Sequence, residues 1–125
     1  EVIIGGTVDP DFGPVVMYGM GGIWVENLKD VSFCPAPVGK KDALEMIQKT
    51  KSYGLLKGGR GRGDADVPAL LDALEKFSRL MADFPQIVEM DLNPLMLADK
   101  GRGAVVLDAR IKLAGKGKKH ARHAR

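Results

Sequence analysis

Residues 89–110 read EMDLNPLMLADKGRGAVVLDAR, two strand-like segments around a glycine-containing turn. Val88, Met90 and Leu92 alternate with Glu89, Asp91 and Asn93, the period-2 pattern of a half-buried strand. Beyond the turn, Val105 and Leu107 alternate with Val106, Asp108 and Arg110. Side chains two residues apart share a strand face. Asp91 and Asn93 are therefore together on the first strand, and Asp108 and Arg110 are together on the second. If the hairpin brings those faces to one side, two carboxylates and an amide meet beside a guanidinium. Hard oxygen donors of this kind suit Mg²⁺, which takes one or two carboxylates and completes its shell with water and substrate phosphates. An ordinary hairpin with a solvated outer face fits the same spacing, and the pattern alone leaves both readings open.

Upstream of this stretch the chain alternates between strand and helix signals. Glu1–Val8 reads as a strand that ends at the Asp9-Pro10-Asp11 turn, where Pro and Asp suit turn positions. Gly13–Tyr18 is a short apolar strand. Gly19, Gly21 and Gly22 make a flexible loop before strand-like segments Ile23–Leu28 and Val31–Ala36, and Pro35 and Pro37 close the region. The opening third is thus an antiparallel meander with helices packed on one side. Ala43, Met46, Ile47 and Thr50 at helical spacing predict a helix over Asp42–Tyr53, with Gly54 as its stop. Asp66 caps a second helix, Pro68 sits in its first turn, and Pro85 ends it. Its apolar stripe is Val67, Leu70, Leu71, Leu74, Phe77, Met81 and Phe84. The expected fold class is α+β, an antiparallel or mixed sheet with two main helices on one face.

Composition narrows the class. The chain has 125 residues, 45% hydrophobic and 28% charged, which suits one globular domain with a modest core. No apolar run approaches the ~20 residues that a membrane-spanning helix needs. The single cysteine, Cys34, excludes an internal disulfide framework, fits a reducing cytoplasm, and reads as a packed thiol rather than a nucleophile. The net charge of +3 belongs to the end of the chain. Residues 114–125 carry five Lys and Arg and no acid; removing those from the 19 basic residues leaves 14 against 16 acidic ones, a body near −2. Residues 114–125 lack apolar periodicity and are expected to be disordered. His120 and His123, both in that tail, read as part of a solvated terminus.

The segments EMDLNPL, the run to LDARI, and FGPVVMYGMGGIWVENLKDVSF, in that family's order, resemble the ATP-grasp half of the NDP-forming acyl-CoA synthetases. That family includes the ADP-forming acetate–CoA ligases and is related to succinyl-CoA synthetase. The resemblance covers Glu1 to about Leu113 and implies the C-terminal part, the second subdomain, of an ATP-grasp domain. It also implies that the chain, which opens at Glu1 inside a strand-like EVIIGGTV, is one piece of a longer polypeptide.

By this resemblance Asn93 and Asp108 hold the magnesium of a bound ATP or ADP. Gly21 and Gly22 become phosphate-loop candidates; the segment has neither the Lys-Ser/Thr of a P-loop nor the strand–helix setting of a dinucleotide fingerprint. The family's Gly-x-Arg-Gly matches Gly58-Gly59-Arg60-Gly61, which makes Arg60 a candidate for stabilising phosphate charge, with Arg110 as a second. Asp91 stands where relatives often carry Glu, one methylene longer, and is a candidate for a supporting role or for facing a phosphohistidine. That histidine has no counterpart in the body of this chain, so it must come from another segment or a partner that also binds CoA. The implied reaction is acyl-CoA + ADP + phosphate ⇌ acid + CoA + ATP. The isolated chain is expected to be inactive. A regulatory segment fused to a protein acetyltransferase is an alternative. A small nucleic-acid-binding module using Arg60, Arg62 and the tail is another. The acidic body and the lack of aromatics beside those arginines argue against the last.

Overall fold

The computed structural model describes residues 1–58 and 63–115. Arg60, Arg62, His120 and His123 lie outside the described residues, as does the expected disorder of the tail beyond Gly115. The sheet contains β1 (Val2–Asp9), β2 (Gly13–Met20), β3 (Val31–Pro35), β4 (Ile87–Leu97), β5 (Ala104–Val106) and β6 (Ala109–Leu113). Their order is β3-β2-β1-β4-β5, with β6 continuing beside β4, and every pairing is antiparallel. The strand β4 of the opening stretch therefore sits between the N-terminal meander and the C-terminal edge.

Two helices cover one face of this sheet. Val2, Ile4 and Gly6 of β1 pair with Met20, Tyr18 and Val16 of β2, and Ile4 and Gly6 pair with Leu92 and Met90 of β4. These residues share the face that packs on α2 (Lys40–Gln48) and α3 (Val67–Asp83), with Ala43, Met46, Ile47, Leu70, Leu74, Phe77 and Met81 completing the core. The helix α3 crosses β1 so closely that a Cβ on Gly6 would lie 2.9 Å from the Phe77 ring and 3.2 Å from Met81. Gly5, Thr7, Val15, Met17, Phe33, Glu89 and Asp91 occupy the opposite face, which carries neither helix.

Several local expectations are corrected. Ile23–Leu28 is not a strand. Residues Ile23–Glu26 form a single helical turn, α1, begun by Gly22 at φ 71°. The Asp30 N–H then donates to the Trp24 carbonyl at 2.7 Å, and the loop closes so that Val31 can pair with Gly19. A strand over those residues would have carried the chain away from β2.

The helix α2 ends at Gln48 rather than Tyr53, and Gly54 is not its stop. Thr50 is extended and turns its hydroxyl back onto the Ile47 carbonyl at 2.6 Å. The next two amides, of Lys51 and Ser52, donate to the Asp30 carboxylate at 2.8 Å each. A 3-10 segment over Lys51–Lys57 follows, and the left-handed residue that ends it is Gly58, φ 64°. The cap and first turn of α3 are as expected, but its last turn stops at Asp83 and Phe84 is exposed.

Candidate functional site

The strand β4 carries a bulge at its centre. On β1, Ile4 pairs with Leu92 and Val2 with Leu95, so three steps of β4 face two of β1. The intervening Asn93–Pro94 peptide is cis. The extra residue resets the alternation, which is why Met90, Leu92 and Leu95 all point toward the core. Asn93, between them, is thrown to the solvent side of the sheet.

Opposite this bulge the hairpin partner is also irregular. Asp91 pairs with Arg110 and Leu95 with Val106. Between these rungs the Asn93 N–H donates to the Asp108 carbonyl at 2.9 Å and the Leu107 N–H to the Pro94 carbonyl at 3.0 Å. Asn93 thus faces Asp108 two rungs beyond the Asp91–Arg110 pair, past Leu92–Ala109, and the period of two puts all four on the face that α2 and α3 leave open. Asn93, Asp108 and Arg110 are exposed and Asp91 is half-buried. The second segment is not half-buried as its alternation implied, for Val105, Val106 and Leu107 are 60%, 46% and 58% exposed.

Two grooves share Glu89 and Asp91. One of about 670 Å³ runs along the β4–β6 seam, where Glu89 opposes Lys112 and Asp91 opposes Arg110. The other, about 240 Å³, has a floor of Gly5 and Gly6 between Met17 and Phe33 on one side and Glu89 and Asp91 on the other. Among the described residues the ion pairs, Asp72–Lys76 and Glu75–Arg79, are both on α3. The charged groups of the open face are therefore not tied into pairs with one another.

The glycine loop lies at the same end of the sheet as the bulge, because Val2 pairs with both Met20 and Leu95. Two strand spacings, about 10 Å, separate the two features. The Gly21 N–H donates to the Glu1 carbonyl at 3.1 Å, so its amide is already engaged, and Gly22 accepts from Val25 and Glu26 to start α1. What holds this loop down is Gly19. A Cβ there would meet Val25 Cγ2 at 2.7 Å, Val31 Cγ1 at 3.1 Å and the Asp30 carbonyl at 3.2 Å. Gly19→Ala is expected to lift α1 from the sheet and cost about 1–3 kcal/mol of stability, the usual penalty of overpacking. An unfolding midpoint equal to that of the wild type would show that α1 does not rest on Gly19.

One carboxylate, Asp30, and a second role of another, Asp66, were missing from the sequence reading. Burial pushes the Asp30 carboxyl up, but the amides of Lys51 and Ser52 more than offset this and hold it below the usual range. Asp66 does more than cap α3 through Ala69 (3.1 Å), since its second oxygen accepts from Gly103 (2.7 Å) and Gly101 (3.1 Å). The Gly103 amide, then that of Ala69, keeps its pKa low. An N-cap signal marks Asp66 in the sequence; nothing marks its distant partners.

Among the described residues no three His, Cys, Asp or Glu side chains converge as a cation cage. Asn93 and Asp108 instead stand opposite each other on the open face, one with an amide and one with a carboxylate side chain. That chemistry fits Mg²⁺, which keeps several of its positions for water and phosphate.

Residues 1–113 match the ATP-grasp domain, and the chain belongs to that family. Its relatives include ADP-forming acid–CoA ligases. It is 53% identical over 116 residues to the beta subunit of ADP-forming acetate–CoA ligase II of Pyrococcus furiosus, covering 92% of this chain and 49% of that one. To the ADP-forming 4-hydroxybutyrate–CoA ligase of Nitrosopumilus maritimus it is 48% identical over 113 residues, 90% of this chain and 16% of that one. Among solved structures it superposes with a TM-score of 0.85 at 47% identity on acetyl-coenzyme A synthetase 1 of Ca. Korarchaeum cryptofilum, covering 91% of this chain and 53% of that one. That structure holds coenzyme A and Mg-AMPPCP, with a phosphohistidine segment pointing towards the nucleotide-binding site. The chain thus spans about half the length of the Pyrococcus subunit.

Proposed function

We propose that this chain is the nucleotide- and Mg²⁺-holding part of an ADP-forming acid–CoA ligase. The observation that carries the proposal is the Asn93–Asp108 rung near Asp91 and Arg110, on the sheet face that neither α2 nor α3 covers. A bound Mg²⁺ would neutralise phosphate charge during in-line phosphoryl transfer. The Asn93 amide oxygen and the Asp108 carboxylate would hold it, and the bulge keeps Asn93 turned out of the core. The Arg110 guanidinium offers a two-pronged donor to phosphate oxygens, as does Arg60. Asp91, at the junction of the two grooves, would face the incoming phosphohistidine of another segment or subunit, which would also bring the CoA site. Near-equal identity to acetate and 4-hydroxybutyrate ligases supports a choice of acyl group made outside this chain.

The reading is tested by assaying nucleotide formation from acyl-CoA, ADP, phosphate and Mg²⁺. The full-length enzyme is expected to form ATP and the isolated 125 residues none. ATP formation by the chain alone would overturn the assignment of half of the machinery to other segments. Its absence from the full-length protein with a range of acyl-CoA substrates would overturn the ligase reading.

A further inference from the structure

We propose that Asp66 is a positioning residue for the Asn93–Asp108 pair, acting through the turn that joins β4 to β5. The proposal rests on the reading of that pair as the Mg²⁺–nucleotide site. The need for such a residue follows from how weakly the edge strand is otherwise held. β5 has three residues, pairs among the described residues only with β4, and gains little from burial because Val105, Val106 and the following Leu107 are all exposed. A strand that buries so little apolar surface has little besides its backbone bonds to keep its register. Those bonds are three rungs, Leu95–Val106, Met96–Val105 and Leu97–Ala104. Asp108 lies between them and the Leu92–Ala109 rung of β6, so fraying of β5 leaves it held from the β6 side alone and free to shift relative to Asn93.

The turn supplies the missing anchor, and Asp66 is at its centre. One carboxylate oxygen accepts from Ala69 at the start of α3, and the other accepts from both Gly101 and Gly103. The Asp66 N–H donates to the Ala98 carbonyl at 2.9 Å, and the Lys100 N–H donates to the Asp64 carbonyl at 2.8 Å. Ala98 in turn donates to Gly103 at 2.9 Å, which closes the turn. Gly101 and Gly103 have φ of 85° and 88°, a conformation that side chains disfavour, and it is their amides that the buried carboxylate collects. One side chain thereby fixes the hairpin end to the first turn of α3, the longest helix among the described residues. From there to Asn93 or Asp108 is about four residues of strand, roughly 13 Å, short enough for the β4–β5 ladder to transmit the register.

The two oxygens can be separated experimentally. Asp66→Ser retains a good helix cap but is too short to reach Gly101 and Gly103. Asp66→Asn keeps one acceptor and turns the other into a donor. Both variants are expected to keep the far-ultraviolet circular dichroism of the wild-type chain. Amide hydrogen exchange should show loss of protection at Gly101 and Gly103 in Asp66→Ser, with the interior of α3 unchanged. In the full-length enzyme the Mg²⁺ concentration for half-maximal activity should rise about tenfold or more, as when an outer-shell partner of a metal ligand is removed. The rate at saturating Mg²⁺ should return to within a few-fold of wild type.

Unchanged protection at the two glycines would overturn the proposal. So would lost protection with an unchanged Mg²⁺ dependence, since the turn would then be a structural clamp only. A wild-type enzyme whose rate ignores Mg²⁺ would overturn the metal reading itself and, with it, this role for Asp66. A wild type that responds to Mg²⁺ and a variant that matches it would overturn the role of Asp66 alone.

Discussion

Replacing Asp108 by Ala is expected to lower acyl-CoA-dependent nucleotide formation by the full-length enzyme at least about 100-fold, with the fold intact. The lower bound follows from metal sites in general, where loss of even an outer-shell partner costs 10- to 100-fold in affinity or activity. Removing a direct ligand, the role proposed for Asp108, should cost no less. The substitution is clean because the Asp108 side chain is exposed and the group that holds the strand, its backbone carbonyl bonded to the Asn93 N–H, survives in alanine. Circular dichroism should therefore be unchanged. Asn93 still stands opposite, so raised Mg²⁺ should recover part of the lost rate. Activity within a few-fold of wild type, with an unaltered spectrum, would reduce the hairpin to scaffold and remove the metal assignment.

Leu74→Ala is expected to destabilise the chain by about 2–5 kcal/mol, the range for truncating a fully buried leucine. Leu74 is 0% exposed and belongs to the core formed by α3 and the sheet. Small domains have only about 5–15 kcal/mol of total stability, so the loss would be a large part of it. On the same helix Leu80 is 38% exposed, and Leu80→Ala should cost less than half as much. Chemical unfolding of the two variants decides the matter. Equal midpoints would mean that α3 does not pack on the sheet by the Leu74 face.

What was legible in the sequence is what local chemistry determines. The turn after β1 is made by Asp9, whose carboxylate accepts from Asp11 at 2.7 Å and Phe12 at 3.0 Å, and it was readable because both partners are within three residues. The start of α3 was readable for the same reason. The shared face of Asp91, Asn93, Asp108 and Arg110 followed from the period of two because the hairpin keeps one register on both sides of its irregular rung.

What was missed depends on distant groups. The end of α2 is set by Asp30, 21 and 22 residues from the amides it binds, and no periodicity within the helix reports it. The turn α1 is set by Gly19 leaving room for Val25. The second duty of Asp66 reaches 35 and 37 residues along the chain. The apolar alternation of Val105 and Leu107 misled because it predicts burial, and none of the described residues buries that edge.

Placing both main helices on one side of the sheet divides the demands made on its strands. Val2, Ile4, Val16, Tyr18 and Met90 serve cohesion, whereas Thr7, Val15, Met17, Glu89 and Asp91, on the alternate positions of the same strands, line a groove on the other side and are not part of the core cluster. Consecutive residues of one strand are therefore free to diverge at different rates. A lineage can remodel what the exposed side recognises, one alternate position at a time, while inheriting the buried side unchanged.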